Sequence, residues 1–289
     1  MSPSPPDPPP SRWRSYRDVD AARDASGLAT YMGRLAAIAA IAAEKERSLA
    51  LLALTPGCAC LDVGCGTGPE LERLLHLVAP GGRVVGLDRS AGLLAEAERR
   101  TRAGDWAARA AASLELVVGD AQAIPFGNGE FDACRADRAL QHVDCPQRAL
   151  AEMVRVTRPG GRVVVTELRW GLVAPELDRT VTDGVLGALA AGGERDAWLG
   201  HRLAELFAGA GLAEIQSVSH THAVESAEEL AGLLDLDWAL PAVSGGGAVS
   251  RERAARWRES LIELAGRGDA FAGMVVLHVA GVRPADPAA

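Results

Sequence analysis

The chain has 289 residues, of which 48% are hydrophobic and only 4% aromatic, and its formal net charge is -8. That length buries one large core or two modest ones. The acidic balance, with no basic patch or Arg-rich helix face, argues against a nucleic-acid partner. No apolar run approaches the ~20 residues that span a bilayer and no signal-peptide apolar region opens the chain, so the expected protein is cytoplasmic and makes no use of a membrane.

The first twelve residues carry six prolines and form no regular element; residues 1–27 read as a tail. From Leu28 the apolar positions Leu28, Tyr31, Leu35, Ile38 and Ala42 recur at three- and four-residue steps, predicting an amphipathic helix. A second helix is expected over 44–54, stopping at Thr55-Pro56-Gly57, and a first strand over 58–63. After a glycine-rich turn, Leu71, Leu74, Leu75 and Val78 mark one face of a helix that ends at Pro80-Gly81-Gly82. A second strand follows over 83–87, closed by Asp88. Ser90 is placed to cap the next helix, which carries Leu93, Leu94 and Ala97. Strands are expected over 114–118 and 131–136, then a helix through Leu150, Met153, Val154 and Thr157, then a fifth strand over 162–168. The hexapeptide Pro-Gly-Gly-Arg-Val-Val occurs at 80–85 and again at 159–164, each time ending a helix and launching an apolar strand. Strands and helices alternating at this rhythm predict βαβ units and a mainly parallel, doubly wound sheet.

Beyond residue 168 the rhythm loosens. Residues 170–211 are expected to be mostly helical, with a Gly192-Gly193 break; strands are expected over 213–224 and 274–282. Two helices separated by Ser244-Gly245-Gly246-Gly247 should fill 225–268. Because ligands lie over the carboxyl ends of strands in such a sheet, the insertions at 170–211 and 225–268 are expected either to cover a substrate or to be ordinary peripheral helices.

Chemistry centres on Leu61-Asp62-Val63-Gly64-Cys65-Gly66-Thr67-Gly68. Glycines at every second position allow a tight strand-to-helix turn that a ligand can approach closely. The dinucleotide pattern G-x-G-x-x-G needs its third glycine at 69, where this chain has Pro69, expected as the first helical residue. Asp62 stands just before the glycines, where it repels a pyrophosphate and attracts an ammonium group. Asp88 closes the second strand about 20 residues after the last glycine, as suits an acceptor of ribose hydroxyls. Asp120, in Gly119-Asp120-Ala121, closes the third strand at a depth suited to the exocyclic amine of a base. An amino acid, a ribose and an aminopurine in a row describe S-adenosylmethionine.

These motifs, with Gly86-Leu87-Asp88-Arg89-Ser90, Pro125-Phe126, Phe131-Asp132 and Arg158-Pro159-Gly160-Gly161, resemble those of the class I S-adenosylmethionine-dependent methyltransferases, in particular the small-molecule group related to ubiquinone and menaquinone C-methyltransferases. The resemblance covers residues 28–168. It implies a seven-stranded, mainly parallel Rossmann-like sheet, with N-terminal helices, an inserted helical cap and two final strands, the last antiparallel. It places one methyltransferase domain over 28–283, with 284–289 as a tail. It further implies that Asp62 and Gly64 face the methionine amine, Asp88 the ribose diol, and Asp120 with Ala121 the adenine, that Cys65, Gly66, Gly68 and Arg89 also belong to the cofactor site, and that the backbone around Arg135 borders the methionine portion. Tyr31 and Arg34 would close over the cofactor, with Arg34 a partner for its carboxylate.

Because a sulfonium already makes its methyl group electrophilic, the protein has to bind, align and in some cases supply a base. Candidates are His142, in Arg138-Ala139-Leu140-Gln141-His142 after the fourth strand, and Glu167, which ends the fifth. The arrangement resembles natural-product sugar O-methyltransferases of this fold, which use a histidine and a carboxylate at these places. A neutral imidazole is suited to take a hydroxyl proton. The expected acceptor is a small apolar organic molecule, given Trp170, Trp198, Phe207 and Trp238 in an Ala/Leu-rich frame and no basic cluster for an anion. The atom methylated (oxygen, carbon or nitrogen) and homodimerisation stay open. A methyltransferase fold serving as a cyclase or cofactor-binding regulator is the alternative, with an NAD-linked oxidoreductase behind it. No metal is expected: Cys58, Cys60, Cys65, Cys134 and Cys145 lack a second pair at zinc-like spacing and read as free thiols, while His220 and His222 share one strand face without a third ligand.

Overall fold

The computed structural model describes residues 39–173, 176–193, 199–224, 236–245, 249–267 and 271–285. Segments rich in apolar residues produce the strands β1 (Ala59–Val63), β2 (Arg83–Asp88), β3 (Ser113–Val118), β4 (Phe131–Asp137), β5 (Thr157–Val173), β6 (Ala213–Val224) and β7 (Phe271–Val282). They form one sheet in the order β3-β2-β1-β4-β5-β7-β6. The pairings β1·β2, β1·β4, β2·β3 and β4·β5 are all parallel. The order therefore reverses between β1 and β4, and in an open sheet the crevice at that reversal is where a ligand sits. The expected fold class, a doubly wound and mainly parallel seven-stranded sheet, is the observed one.

Among the described residues the α-helices are α1 (Ala39–Leu51), α2 (Leu71–Val78), α3 (Ala91–Gly104), α4 (Trp106–Ala110), α5 (Pro146–Val156), α6 (Arg179–Gly193), α7 (Leu199–Gly209), α8 (Leu236–Gly245) and α9 (Arg251–Arg267). Leu71, Leu74, Leu75 and Val78 are buried together with Val84, Leu94 and Ala97 in one layer of the core. A second layer gathers Leu61, Val85, Leu150, Met153, Val163 and Val165. Packing these apolar stripes against both faces of the sheet is what fixes its position.

Several boundaries differ from expectation for identifiable reasons. Residues 39–51 form one continuous helix where a break before Glu44 was expected; the segment contains no glycine or proline, and its alanines favour helix. Pro69 is not the first helical residue. It lies in the turn, and the helix starts at Leu71 after Glu70, whose side chain makes no capping bond. Strand β5 begins at Thr157 rather than 162, because Gly160 N–H donates to Arg283 O (2.8 Å) and Arg283 N–H to Gly161 O (2.9 Å). The repeated Pro-Gly-Gly segment is thus a bulge within the strand, where the register jumps from Phe131↔Thr157 to Ala133↔Arg162. The short helix α4 was not foreseen. It buries Trp106 and Ala110.

The chain divides into two units. The larger holds residues 39–167, 199–219 and 277–285 among those described. Helix α7 belongs to it: Leu199, Leu203 and Phe207 are buried in the core beside Met153 and Val156, so only part of 170–211 is set apart from the sheet unit. The smaller unit holds α6, α8 and α9, whose Val181, Val185, Leu240, Trp257 and Leu261 form a core of their own. Trp257 Nε1–H donates to Thr182 Oγ1 (2.9 Å), and Arg253 binds Asp178 Oδ1 (2.8 Å). Tyr31, Arg34 and Trp198 lie outside the described residues, as do the side chains of Trp170 and Trp238. No described helix is long and apolar enough to cross a membrane.

Candidate active site

The glycine turn is built by backbone geometry. Gly64, Gly66 and Gly68 have φ of 71°, 55° and 68°, the left-handed region that side chains disfavour. A Cβ on Gly64 would stand 2.5 Å from Ala139 Cβ, and one on Gly68 2.5 Å from Leu71 Cδ1. The first contact seats the turn after β1 directly against the segment after β4. Asp88 tightens the turn from β2: its Oδ2 accepts from Gly66 N–H (2.8 Å) and its Oδ1 from Ser90 N–H (2.9 Å). Ser90 in turn caps α3 by accepting from Leu93 N–H (3.1 Å). Arg100 of α3 donates to Thr67 O (2.9 Å), bracing the turn from outside. Cys65 is buried with its Sγ toward Gly86, where an added Cβ would fall 2.9 Å from it. The Cys65 contribution to a bound ligand is therefore confined to its backbone, and burial pushes its thiol well above the ordinary range.

Asp62 and Arg135 are register partners on β1 and β4. Arg135 Nη1–H donates to Asp62 Oδ1 (3.2 Å) and Nη2–H to Asp137 Oδ2 (3.0 Å), with Arg135 1% and Asp62 3% exposed. Arg138 Nε–H adds a bond to Asp137 Oδ1 (3.1 Å). Burial raises the Asp62 carboxyl to about 6, and the Arg135 guanidinium only partly opposes it. Burial acts the same way on Asp137, but Arg138, Arg135 and Lys45 outweigh it and hold that carboxyl well below its usual value. Arg135 Nε is buried and has no hydrogen-bond partner among the described residues. Behind this group Lys45, the chain's one lysine, is buried against Glu70, which also receives Arg73 Nη1–H (3.1 Å). The Lys45–Glu70 pair and the side-chain role of Arg135 were not foreseen; a lone buried-helix lysine in an Arg-rich chain was the available signal.

Asp120 is exposed, and its Oδ1 accepts from Gln122 N–H (2.8 Å). Gln122 Oε1 accepts from Cys145 N–H (2.9 Å), tying the Asp120-Ala121 segment to the start of α5. Arg89 is exposed next to the buried Asp88. His142 ends a 3₁₀ turn over Leu140–His142 and is half-buried, with Nε2 3.2 Å from Gln141 Nε2. Glu167 has no exposed surface; its Oε1 accepts from Leu140 N–H (3.0 Å) and Gln141 N–H (3.2 Å). The structure thus brings Asp62, Gly64, Gly66, Gly68, Asp88, Arg135 and His142 to the carboxyl ends of β1, β2 and β4; Glu167, expected to end the fifth strand, lies within β5, which runs on to Val173. Phe207, expected to face an acceptor, is a core residue with no exposed surface. No group of three or more metal-ligating side chains occurs among the described residues.

A cradle of left-handed glycines between carboxylates suits a ligand that presents an ammonium group and hydroxyls and lacks a pyrophosphate. Comparison with known proteins agrees. Residues 61–165 match the family model described as a methyltransferase domain. The chain is 33% identical over 241 residues to an uncharacterized 37.1 kDa protein in a transposon of Streptomyces fradiae, spanning 80% of this chain and 66% of that one. It is 39% identical over 137 residues to a demethylmenaquinone methyltransferase of Renibacterium salmoninarum, covering 47% of this chain and 52% of the relative. A crystal structure of a putative methyltransferase from Bacillus halodurans shares the fold, with a TM-score of 0.58 at 20% identity over 83% of this chain and 98% of that one. Fold and family match together define a methyltransferase domain over residues 61–165. That domain is of the class I, S-adenosylmethionine-dependent type, and its sequence is similar to those of quinone-biosynthesis methyltransferases.

Proposed function

We propose that the protein transfers a methyl group from S-adenosylmethionine to an oxygen, carbon or nitrogen of a small apolar organic molecule, in natural-product or quinone-type metabolism. The observation that carries this reading is the pair Asp62 and Asp88, closing adjacent parallel strands around three left-handed glycines. The 39% identity to a demethylmenaquinone methyltransferase supports it.

The bound cofactor supplies an electrophilic methyl group; the chain binds, aligns and moves a proton. Asp62 holds the amine of the cofactor, and Arg135 keeps that carboxylate in place from the neighbouring strand. Gly64, Gly66 and Gly68 let the backbone approach closely, with Cys65 contributing main chain. Asp88 accepts from ribose hydroxyls beside Arg89, and Asp120 with Ala121 borders the adenine. Tyr31 and Arg34 complete the enclosure in this reading. His142, on a turn held against Gly64 through Ala139, takes the proton of an acceptor hydroxyl; a neutral imidazole is suited to that task near pH 7.

The test is transfer of a tritiated methyl group from S-adenosylmethionine into organic-extractable small molecules. The expected result is label in an apolar product, with His142→Ala slowing transfer roughly 100-fold while S-adenosylhomocysteine still binds. Full turnover in His142→Ala removes its role as base. Intact cofactor binding with no transfer to any acceptor favours a cyclase or regulator instead.

A further inference from the structure

The segment after β4 is under local strain and is held from one side. Arg138 has φ of 55°, a left-handed conformation that a non-glycine residue adopts at a cost. Its N–H donates to Thr166 O (2.7 Å), and the next available amides, Leu140 N–H and Gln141 N–H, both donate to Glu167 Oε1. Two consecutive residues of β5 therefore hold three amides of the 138–141 segment. Those two residues are themselves fixed. Thr166 Oγ1 bonds Ser48 Oγ (3.0 Å) and His278 Nδ1 (2.9 Å), and His278 Nε2 bonds Glu44 Oε2 (2.9 Å), all of them buried. A chain of polar contacts thus runs from α1 and β7 to the residue beside Glu167.

The geometry points to Glu167 as a positioning residue, whose carboxylate sets the 3₁₀ turn that presents His142 beside the glycine cradle. The turn closes two short-range bonds of its own, His142 N–H to Ala139 O (3.1 Å) and Val143 N–H to Leu140 O (3.3 Å), and leaves the Leu140 and Gln141 amides to an external acceptor. A carboxylate serves better than a neutral acceptor because charge-assisted bonds to backbone N–H groups are about twice as strong. With its Oε1 given to two amides and no exposed surface, Glu167 acts on the reaction through His142. The Gly64–Ala139 contact seats the start of this segment against the glycine cradle, since the two meet with no room for even a methyl group between them.

This assignment rests on the methyltransferase reading, and the experiment separates the two. Hydrogen exchange of the peptide covering 139–143 is followed in the full chain for wild type, Glu167→Ala, Glu167→Gln and Glu167→Asp. Calorimetry with S-adenosylhomocysteine and the NMR titration of the His142 ring are recorded on each. In Glu167→Ala the 139–143 amides should exchange at least about tenfold faster, and the His142 titration should shift. The peptides of the glycine turn and β2 should keep their protection, and affinity for S-adenosylhomocysteine should stay within about threefold. Glu167→Gln, which retains an acceptor oxygen but loses the charge, should restore part of the protection. Should Glu167→Ala fail to fold, Glu167→Asp carries the test: it keeps the charge but withdraws the oxygens by one methylene, and should open the turn. Unchanged exchange at 139–143 in the folded alanine or aspartate variant overturns the assignment, as does acceleration spread evenly over the whole sheet. A wild-type protein that protects the turn yet binds no S-adenosylhomocysteine overturns the cofactor reading alone.

Discussion

Arg135 reaches across from β4 to Asp62 on β1, Nη1 to Oδ1 at 3.2 Å, and the two side chains are almost sealed from solvent. A carboxylate in that position is held ready for a cation but has little access to water. Its carboxyl lies at about 6 in the folded chain because burial outweighs the pull of Arg135.

Cofactor affinity should therefore depend on pH. The ammonium group of S-adenosylhomocysteine needs Asp62 ionised, so affinity should be flat above about pH 7 and fall about tenfold per unit below about pH 6. For stability the sign is opposite. Between the unfolded value of 3.8 and about 6 only the folded chain keeps the proton, so this contribution is complete below 3.8 and lost as pH rises through about 6. Calorimetric titrations from pH 5 to 8 on wild type and Asp62→Asn check this. The variant should bind weakly with no acidic limb, and an identical pH profile in both proteins would refute the assignment.

Gly64→Ala should abolish cofactor binding. Its φ of 71° already strains an alanine, and the new Cβ would lie 2.5 Å from Ala139 Cβ. Gly57→Ala is the control, with φ of 89° and nothing within 4 Å. It should cost only the backbone term of about 1–2 kcal/mol and leave binding intact. Comparable loss of S-adenosylhomocysteine affinity in both variants would show that strain alone, not the Gly64–Ala139 contact, matters.

Asp137→Asn should destabilise the fold by about 3 kcal/mol at pH 7, because it withdraws an anion from buried Arg135 and from Arg138. Burial acts to raise the Asp137 carboxyl, but Arg138, Arg135 and Lys45 hold it well below 3.8. Its stabilising contribution is therefore present above 3.8 and is lost as pH falls through the depressed folded value. Urea unfolding at pH 7 and in acid should show the gap between wild type and variant closing only in strongly acid solution. A variant as stable as wild type at pH 7 would contradict this account.

Lys45→Met should cost a similar amount, about 3 kcal/mol, since Glu70 would remain buried with Arg73, itself 40% exposed, as its partner. Thermal unfolding checks it. A Tm equal to that of wild type would mean the pair only breaks even against a hydrophobic side chain.

The sequence exposed the parts of this molecule that local chemistry dictates. Gly64, Gly66 and Gly68 revealed a left-handed turn, Ser90 a helix cap, and Asp62 and Asp88 the ends of strands, because each is set by its neighbours in the chain. Partnerships across the fold were hidden. Arg135 is 73 residues from Asp62, and only the β1·β4 register makes them neighbours. Glu167 read as a candidate base ending the fifth strand; that β5 runs on to Val173 and that its carboxylate bonds the amides of a turn 26 and 27 residues back are set by the fold and not by local pattern. Phe207 read as part of a substrate cover because 170–211 looked like one insertion, whereas the apolar stripe of α7 packs into the sheet core. The extension of β5 through Pro159-Gly160-Gly161 depends on Arg283, which no local pattern foretells.

Calorimetric titration of the full chain with S-adenosylhomocysteine at neutral pH, beside an identical titration with NAD, tests the central claim most directly. The account predicts one molecule bound per chain, an affinity reduced at least about tenfold in Asp88→Ala, corresponding to the loss of about 1.4 kcal/mol, and no binding of NAD. Tight binding of NAD, or no binding of S-adenosylhomocysteine by the folded wild-type chain, would contradict it.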